Sequence, residues 1–276
     1  MRSQRELLEW AQTKIDRLDS ELLLSHVLGA SRADLYTDNR RHLDEKPAAR
    51  FRRLVEERAS GRPLQYITGE AEFMGLEFKV SKDVLIPRPE TELLVEAAVE
   101  SIRAIREKKP GKPVTVLDLG TGSGNIAISL TKFLPDCTIV SSDVSPLALE
   151  AARINARFHG VEDRVQFVES DLFTGFRSKK FDVIVSNPPY IAGTEFDSLS
   201  RELYFEPRLA LYGGRDGAYF YRKIISQAPR YLRGEGSLLL ELGYNTVQCI
   251  DSLLTGLRSF RLIKDYSGFD RVLVAQ

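Results

Sequence analysis

Residues 114–133 hold the feature that most restricts the fold. Val114–Leu119 is a short apolar run that passes through Gly120, Gly122 and Gly124 directly into a helical pattern. Three alternating glycines at a strand–helix junction allow a tight turn and a close backbone approach to a ligand. The helix behind them presents unpaired N–H groups. The rhythm then repeats, with strands predicted at 114–119, 138–142, 165–169, 181–185 and 237–241 and helical stretches between several of them. Such alternation specifies an α/β domain with a parallel sheet and helices on both faces. A further helix is predicted near Val247–Leu257. The final runs near Arg261–Lys264 and Arg271–Ala275 suit an antiparallel edge.

Upstream the chain has a different character. Leu7, Leu8 and Trp10 suit one short helix, and Leu18, Leu22, Leu23, Val27 and Leu28 a second that Gly29 ends. A third is predicted from Pro47 to about Ala59, with Phe51, Leu54 and Val55 on one face and Arg50, Arg52, Arg53 and Arg58 outside. Glu72–Val80 reads as a hairpin centred on Met74-Gly75. Pro87 and Pro89 forbid a helix over Leu85–Pro89, and a long one should run from Glu90 to about Glu107. The expected division is a helical domain over 1–70, a β-hairpin and linker over 71–89, and the α/β domain over 90–276.

Composition removes several classes of function. Lys plus Arg and Asp plus Glu both number 39, so the chain lacks the basic excess of a protein that grips nucleic acid by charge. Two cysteines and three scattered histidines provide neither a disulfide framework nor a metal site. No stretch approaches the roughly 18 apolar residues of a membrane span, and the first residues alternate charged and apolar. The expectation is a cytoplasmic enzyme without a metal.

The glycine turn suits more than one nucleotide. Gly122–Ala127 also fits the dinucleotide form G-x-G-x-x-A, with Asp143 about 20 residues on, so NAD stays open at this point. A Walker A loop does not fit, because no G-K-[ST] follows. Asp143, at the end of the second strand, is placed to accept two hydrogen bonds from a ribose diol, or else to cap the next helix. Asp171 ends the third strand, where it suits an adenine amino group, with Leu172 offering apolar contact; a surface turn would also explain it.

The fourth strand runs into Asn187-Pro188-Pro189-Tyr190. Two prolines lock the backbone and remove two N–H donors. The Asn187 side-chain oxygen and the Pro188 carbonyl are then two acceptors for the hydrogens of a substrate –NH₂, and the Tyr190 ring suits a flat amide or base. An amide nitrogen is a poor nucleophile because its lone pair is delocalised. Two acceptors raise electron density on it, aim it at a sulfonium methyl, and stabilise the positive charge that develops.

These two motifs together resemble the class I methyltransferases that modify amide or exocyclic nitrogens. The segments Pro63–Gly69 (PLQYITG), Phe73–Phe78 (FMGLEF) and Leu85–Glu92 (LIPRPETE) narrow the likeness to the peptide chain release factor N5-glutamine methyltransferases, the HemK/PrmC family, over nearly the whole chain. The resemblance implies a Rossmann-like seven-stranded sheet and S-adenosylmethionine as methyl donor, with S-adenosylhomocysteine as product. It implies a substrate glutamine in the Gly-Gly-Gln motif of class 1 peptide chain release factors. The cofactor would lie on Gly120, Thr121, Gly122, Ser123, Gly124, Asp143, Asp171, Leu172 and Asn187. The glutamine would lie on Asn187, Pro188, Pro189 and Tyr190. Some family members carry tryptophan where this chain has Leu172. The helical domain would help hold the release factor, and no stable binding of nucleic acid or membrane is expected. Arg88 and Glu90 are candidates for the rim of the pocket.

An adenine-N6 nucleic-acid methyltransferase shares the Asn-Pro-Pro-Tyr chemistry and would have to flip its base into the pocket. A non-catalytic release-factor or ribosome-binding module is the reading from another class. Calorimetry and turnover distinguish the roles assigned here. Asn187→Ala should lower kcat far more than cofactor affinity, whereas Asp143→Ala should chiefly weaken cofactor binding. Equal losses for Asn187→Ala, or normal cofactor affinity in Asp143→Ala, would contradict the respective assignment.

Overall fold

The computed structural model of the chain describes residues 2–37, 42–244, 246–254 and 257–276. Two compact units emerge: Met1–Glu70 with Ser200–Phe205, and Ala71–Leu199 with Glu206–Gln276.

The first unit is helical. Its helices are α1 (Gln4–Ala11), α2 (Arg17–Leu28), α3 (Asp34–Thr37), α4 (Glu45–Ala59) and α5 (Leu64–Thr68), with a two-residue pairing of β1 (Arg2–Ser3) and β2 (His42–Leu43). Helices α1 and α2 have a local reason to begin. Ser3 and Glu6 form a reciprocal capping box at α1, and the Asp16 carboxylate accepts from Asp19 N at α2. Gly29 ends α2 in the left-handed conformation, as its sequence position predicts. Leu7, Leu23, Leu24, Phe51 and Val55 meet in a core that excludes water. Helix α4 begins two residues before the expected Pro47. Arg58 departs from the solvated face predicted for it: it is largely buried, paired with both Asp19 and Glu202. Its guanidinium serves two carboxylates, and that demand outweighs the helical periodicity that points it outward. Glu21 is likewise buried, beside Arg17, Arg32 and the Tyr36 hydroxyl, whose hydrogen bond leads in holding its carboxyl down at about 2. Helix α5, closed by Gly69, was not anticipated within the PLQYITG segment.

The second unit opens with the hairpin β3 (Glu70–Phe73) and β4 (Leu76–Lys79). Met74 and Gly75 both take positive φ, 54° and 69°, as a two-residue hairpin turn requires. The turn is secured by Met74 N, which donates to Glu92 Oε1 at 2.6 Å. Glu92 lies in α6 (Glu90–Lys108), which begins where the prolines release the chain. There follow β5 (Thr115–Leu119), α7 (Asn125–Phe133), β6 (Thr138–Asp143), α8 (Pro146–Phe158), β7 (Val165–Glu169), β8 (Phe181–Ser186), α9 (Arg208–Leu211), α10 (Tyr219–Tyr231), β9 (Leu232–Glu241), α11 (Thr246–Leu254), β10 (Phe260–Lys264) and β11 (Asp270–Ala275). Of the helix predicted to reach Leu257, residues 255–256 lie outside the described ones.

The strands form one seven-stranded sheet in the order β10-β11-β9-β8-β5-β6-β7. β7, β6, β5, β8 and β9 run parallel, and β11 is antiparallel to both neighbours. This is the class I methyltransferase arrangement expected above. Strand β8 is buried at every position, as a central parallel strand covered on both faces must be. One face packs Leu94, Ile102, Val116, Ile128 and Val183, together with Phe73 and Phe78 of the hairpin. The other packs Leu117, Ile184, Tyr221, Ile224 and Ile250. No described helix is long and apolar enough to cross a membrane, and the described residues contain no cluster of potential metal ligands.

Asn155 of α8 joins the hairpin to the glycine turn. Fully buried, it accepts from Lys79 N at 2.7 Å and donates to Lys79 O at 2.9 Å and to Ser123 O at 2.8 Å. Asn155→Ala removes a bond to the buried Ser123 carbonyl, which costs about 1–3 kcal/mol when left unpaired, and two to the partly buried Lys79 backbone. Thermal denaturation should show a melting temperature several degrees lower, with weaker cofactor binding. An unchanged melting curve would mean that water takes over these groups.

Candidate active site

The carboxyl ends of β5, β6, β7 and β8 face a single cleft. Open α/β sheets bind ligands at this edge, where the strand order reverses; here the reversal lies between β5 and β8. Gly120, Gly122, Asp143, Asp171, Leu172, Asn187, Pro188 and Pro189, all singled out from sequence, line it.

The glycine turn has little freedom. Gly120, Gly122 and Gly124 all adopt positive φ. A Cβ on Gly120 or Gly122 would meet no atom within 4 Å, so these two leave open backbone beside the cleft. Gly124 instead packs behind it, where a Cβ would come to 3.0–3.3 Å from Ile128 and Ala152. Thr121 and Ser123 are buried and lie outside the lining. The two oxygens of Asp143 are each claimed by backbone, Oδ2 by Gly122 N at 3.0 Å and Oδ1 by Ser145 N at 2.9 Å. Each retains lone-pair capacity for a second donor. Helix α8 is capped by Ser145, whose hydroxyl accepts from Ala148 N, so Asp143 is not the capping residue. Burial pushes the Asp143 carboxyl up, opposed by the Ser145 and Gly122 amides.

In the third-strand turn, Leu172 has φ 48°, uncommon for a residue with a side chain. The Ser170 hydroxyl holds the turn, donating to Leu172 O at 2.8 Å and accepting from Gly175 N at 2.9 Å. Asp171 and Leu172 thereby reach the cleft from one turn.

At the fourth strand, Asn187 Nδ2 donates to Thr91 Oγ1 at 3.2 Å. Burial raises the Glu241 carboxyl, at the end of β9, to about 7, with the Thr91 side chain opposing the rise. Tyr190 does not line the cleft. It sits among three glycines distant in sequence. A Cβ on Gly243 would fall 2.4 Å from the Tyr190 ring, one on Gly213 2.6 Å from its Cα, and one on Gly217 2.5 Å from its carbonyl oxygen. Burial pushes the Tyr190 phenol up to about 12.

The stretch 191–217 folds into short turns and α9. Ile191 N donates to Leu211 O, and Gly213 N to Ile191 O, both at 2.9 Å. The buried Glu206 carboxylate accepts from Ile86 N at 3.1 Å and pairs with Arg88. Arg88 is therefore bound to that segment and, like Glu90, is absent from the lining of the cleft.

Sequence reasoning passed over several residues. Asp118 is fully buried, with Oδ2 accepting from Thr121 Oγ1 at 2.7 Å and from Ser141 Oγ at 3.3 Å, while Oδ1 has no partner. Burial raises it to about 7. An acid inside an otherwise apolar strand was the available signal. Leu209 of α9 and Phe220 of α10 add apolar wall. The lining contains Asp83, Asp143 and Asp171 and no Lys, Arg or His. Three carboxylates without a side-chain cation favour a ligand with positive charge, while the backbone amides of the glycine turn can hold a phosphate without one.

Residues 1–69 match the family described as PrmC N-terminal domain, and residues 92–211 that described as methyltransferase small domain. A release factor glutamine methyltransferase of Chlorobaculum tepidum is 44% identical over 272 residues, 96% of this chain and 92% of that protein. Another, of Moorella thermoacetica, is 40% identical over 262 residues, 94% and 90% of the two chains. Among solved structures, the hMettl16 catalytic domain in complex with the MAT2A 3′UTR hairpin 6 aligns with a TM-score of 0.58 at 15% identity, covering 84% of this chain and 82% of that one. That likeness is one of fold.

Gly243→Ala should displace the Tyr190 ring. A misplacement of about 1 Å near reacting groups lowers turnover by up to about 100-fold, so kcat should fall at least about tenfold, with cofactor affinity retained. Steady-state kinetics with calorimetry check this. Unaltered kcat would show that Tyr190 tolerates the shift.

Proposed function

The chain belongs to the release factor glutamine methyltransferases, and from that premise we propose that it methylates the side-chain amide nitrogen of the glutamine in the Gly-Gly-Gln motif of class 1 peptide chain release factors. S-adenosylmethionine supplies the electrophilic methyl group and leaves as S-adenosylhomocysteine. The observation that carries this reading is the acidic, cation-free cleft ending at Asn187-Pro188-Pro189.

The residues fit a cationic sulfonium nucleoside. Gly120 and Gly122 offer open backbone, with Thr121, Ser123 and Gly124 holding the turn from behind. Asp143, its oxygens oriented by two backbone amides, is the acceptor for a ribose diol. Asp171 is the acceptor for an adenine amino group, and Leu172 covers the ring.

Asn187 Oδ1 and the Pro188 carbonyl are the acceptors for the two N–H bonds of the glutamine amide. They turn the nitrogen toward the donor and stabilise the positive charge it acquires as the N–C bond forms. Pro189 keeps the turn rigid, and Tyr190, enclosed behind the lining, supports that turn from outside the cleft. The helical unit is assigned to hold the release factor, without a stable nucleic-acid complex, in the cytoplasm.

Incubation with methyl-labelled S-adenosylmethionine and either a class 1 release factor or duplex DNA, followed by mass spectrometry, tests the reading. Label on the Gly-Gly-Gln glutamine is expected. Label on adenine alone would overturn it.

A further inference from the structure

Two stretches of the cleft wall lie outside the sheet. Asp83, Val84 and Leu85 of the linker form one, and Pro207, Leu209 and Ala210, at α9, form the other. Strand register cannot set the spacing of such walls. Something beyond the sheet must do so.

One side chain meets both walls at their ends. Ile86 directly follows Leu85, and Glu206, 120 residues further on, directly precedes Pro207. The Glu206 carboxylate is 2% exposed. Its Oε2 accepts from Ile86 N at 3.1 Å, and its Oε1 accepts from Arg88 Nη2. Each joint is followed by a proline, Pro87 or Pro207, which disfavours helical backbone in the residue before it. Fixing Ile86 and Glu206 therefore fixes the direction in which each wall departs.

The linkage continues on both sides to the Asn187 turn. On the linker side, Thr91 N donates to Arg88 O at 3.1 Å, and Asn187 Nδ2 donates to Thr91 Oγ1 at 3.2 Å. On the α9 side, Ile191 N donates to Leu211 O at 2.9 Å, and Ile191 directly follows Tyr190. A closed circuit thus runs from Asn187 through Thr91, Arg88, Glu206 and α9 to Ile191. Its two halves meet at Glu206.

We propose that Glu206 and Arg88 are positioning residues that hold the linker wall and the α9 wall at a fixed spacing around the Asn187 turn. Neither lines the cleft, so both act through the residues beside them. The inference rests on the glutamine-clamp reading for its catalytic consequence, but the spacing of the walls does not. The residue types suit the task. A carboxylate offers an acceptor oxygen to each of the two donors, whereas an amide offers one oxygen only. A buried carboxylate deprived of its cation is strongly unfavourable, so the pair resists opening.

Arg88→Met, Arg88→Lys, Glu206→Gln and the Arg88→Met/Glu206→Gln double variant of the whole protein test the proposal. Hydrogen exchange of the free protein reads the walls without any ligand. Arg88→Met and Glu206→Gln should speed exchange in peptides covering 83–91 and 206–213, with β5 and β6 unchanged. Glu206→Gln keeps the size of the side chain and an acceptor for Ile86, so it decides the matter if Arg88→Met does not fold. At a temperature where the variants are folded, each of these two should lower kcat by at least about tenfold, within the roughly 100-fold that a displacement of about 1 Å near reacting groups produces. Arg88→Lys restores a cation and should recover most of kcat. The double variant should be no slower than the slower single one, because both substitutions open the same contact. Wild-type exchange in both segments, kcat near the wild-type value in folded Glu206→Gln, or losses that multiply in the double variant would overturn the proposal. Absence of methyl transfer by the wild-type protein would overturn the function instead, leaving the exchange rates to decide the spacing.

Discussion

A parallel sheet delivers the carboxyl ends of its strands to one edge. Helices must then cross back over its faces, so that edge is the place where loops are free to carry chemistry. Here the chain crosses to one side of β5 to build β6 and β7, and to the other to build β8 and β9. The cleft lies where the two directions part. Gly120, Asp143, Asp171 and Asn187 are far apart in sequence yet share this edge, each following a different strand. Their proximity is a property of the topology, and the rest of the site is an elaboration of it.

The elaboration consists largely of buried hydrogen bonds that leave each group one permitted orientation. Asp143 is aimed by the amides of Gly122 and Ser145. The Leu172 turn is held at positive φ by Ser170. Asn155 fastens the hairpin to the glycine turn. Tyr190 is confined by three glycines that leave no room for side chains. Rigid placement of this kind is what an enzyme requires when its nucleophile is a poor one and positioning supplies most of the rate. The charge of the cleft agrees with it, since carboxylates without cations favour a donor with positive charge.

Much of this was legible in the sequence because the signals were local. Apolar runs marked the strands, Gly29 and the paired prolines marked helix boundaries, and Asn187-Pro188-Pro189, singled out at the end of the fourth strand, lies on the cleft. What escaped depended on partners distant in the chain. Arg58 sits on a helical face that reads as solvated, and only Asp19 and Glu202 draw it inward. Thr91 looked like a residue of a helix start until the fold placed its hydroxyl 3.2 Å from Asn187 Nδ2. Asp118 was visible as an acid in an apolar strand, but its unpaired oxygen is a fact of packing. The 191–217 stretch lacks periodicity because its contacts run from Glu206 to Ile86 and from Ile191 to Leu211 and Gly213. The pairing of Arg88 with Glu206 was hidden for the same reason.

The central claim is that Asn187 and Pro188 receive the substrate amide directly. A crystal structure of the protein with S-adenosylhomocysteine and a peptide containing Gly-Gly-Gln tests it. The account predicts the glutamine nitrogen within hydrogen-bond distance of both Asn187 Oδ1 and the Pro188 carbonyl oxygen, with Nδ2 still on Thr91. A glutamine side chain bound elsewhere in the cleft, or one meeting the Nδ2 end of Asn187, would contradict it.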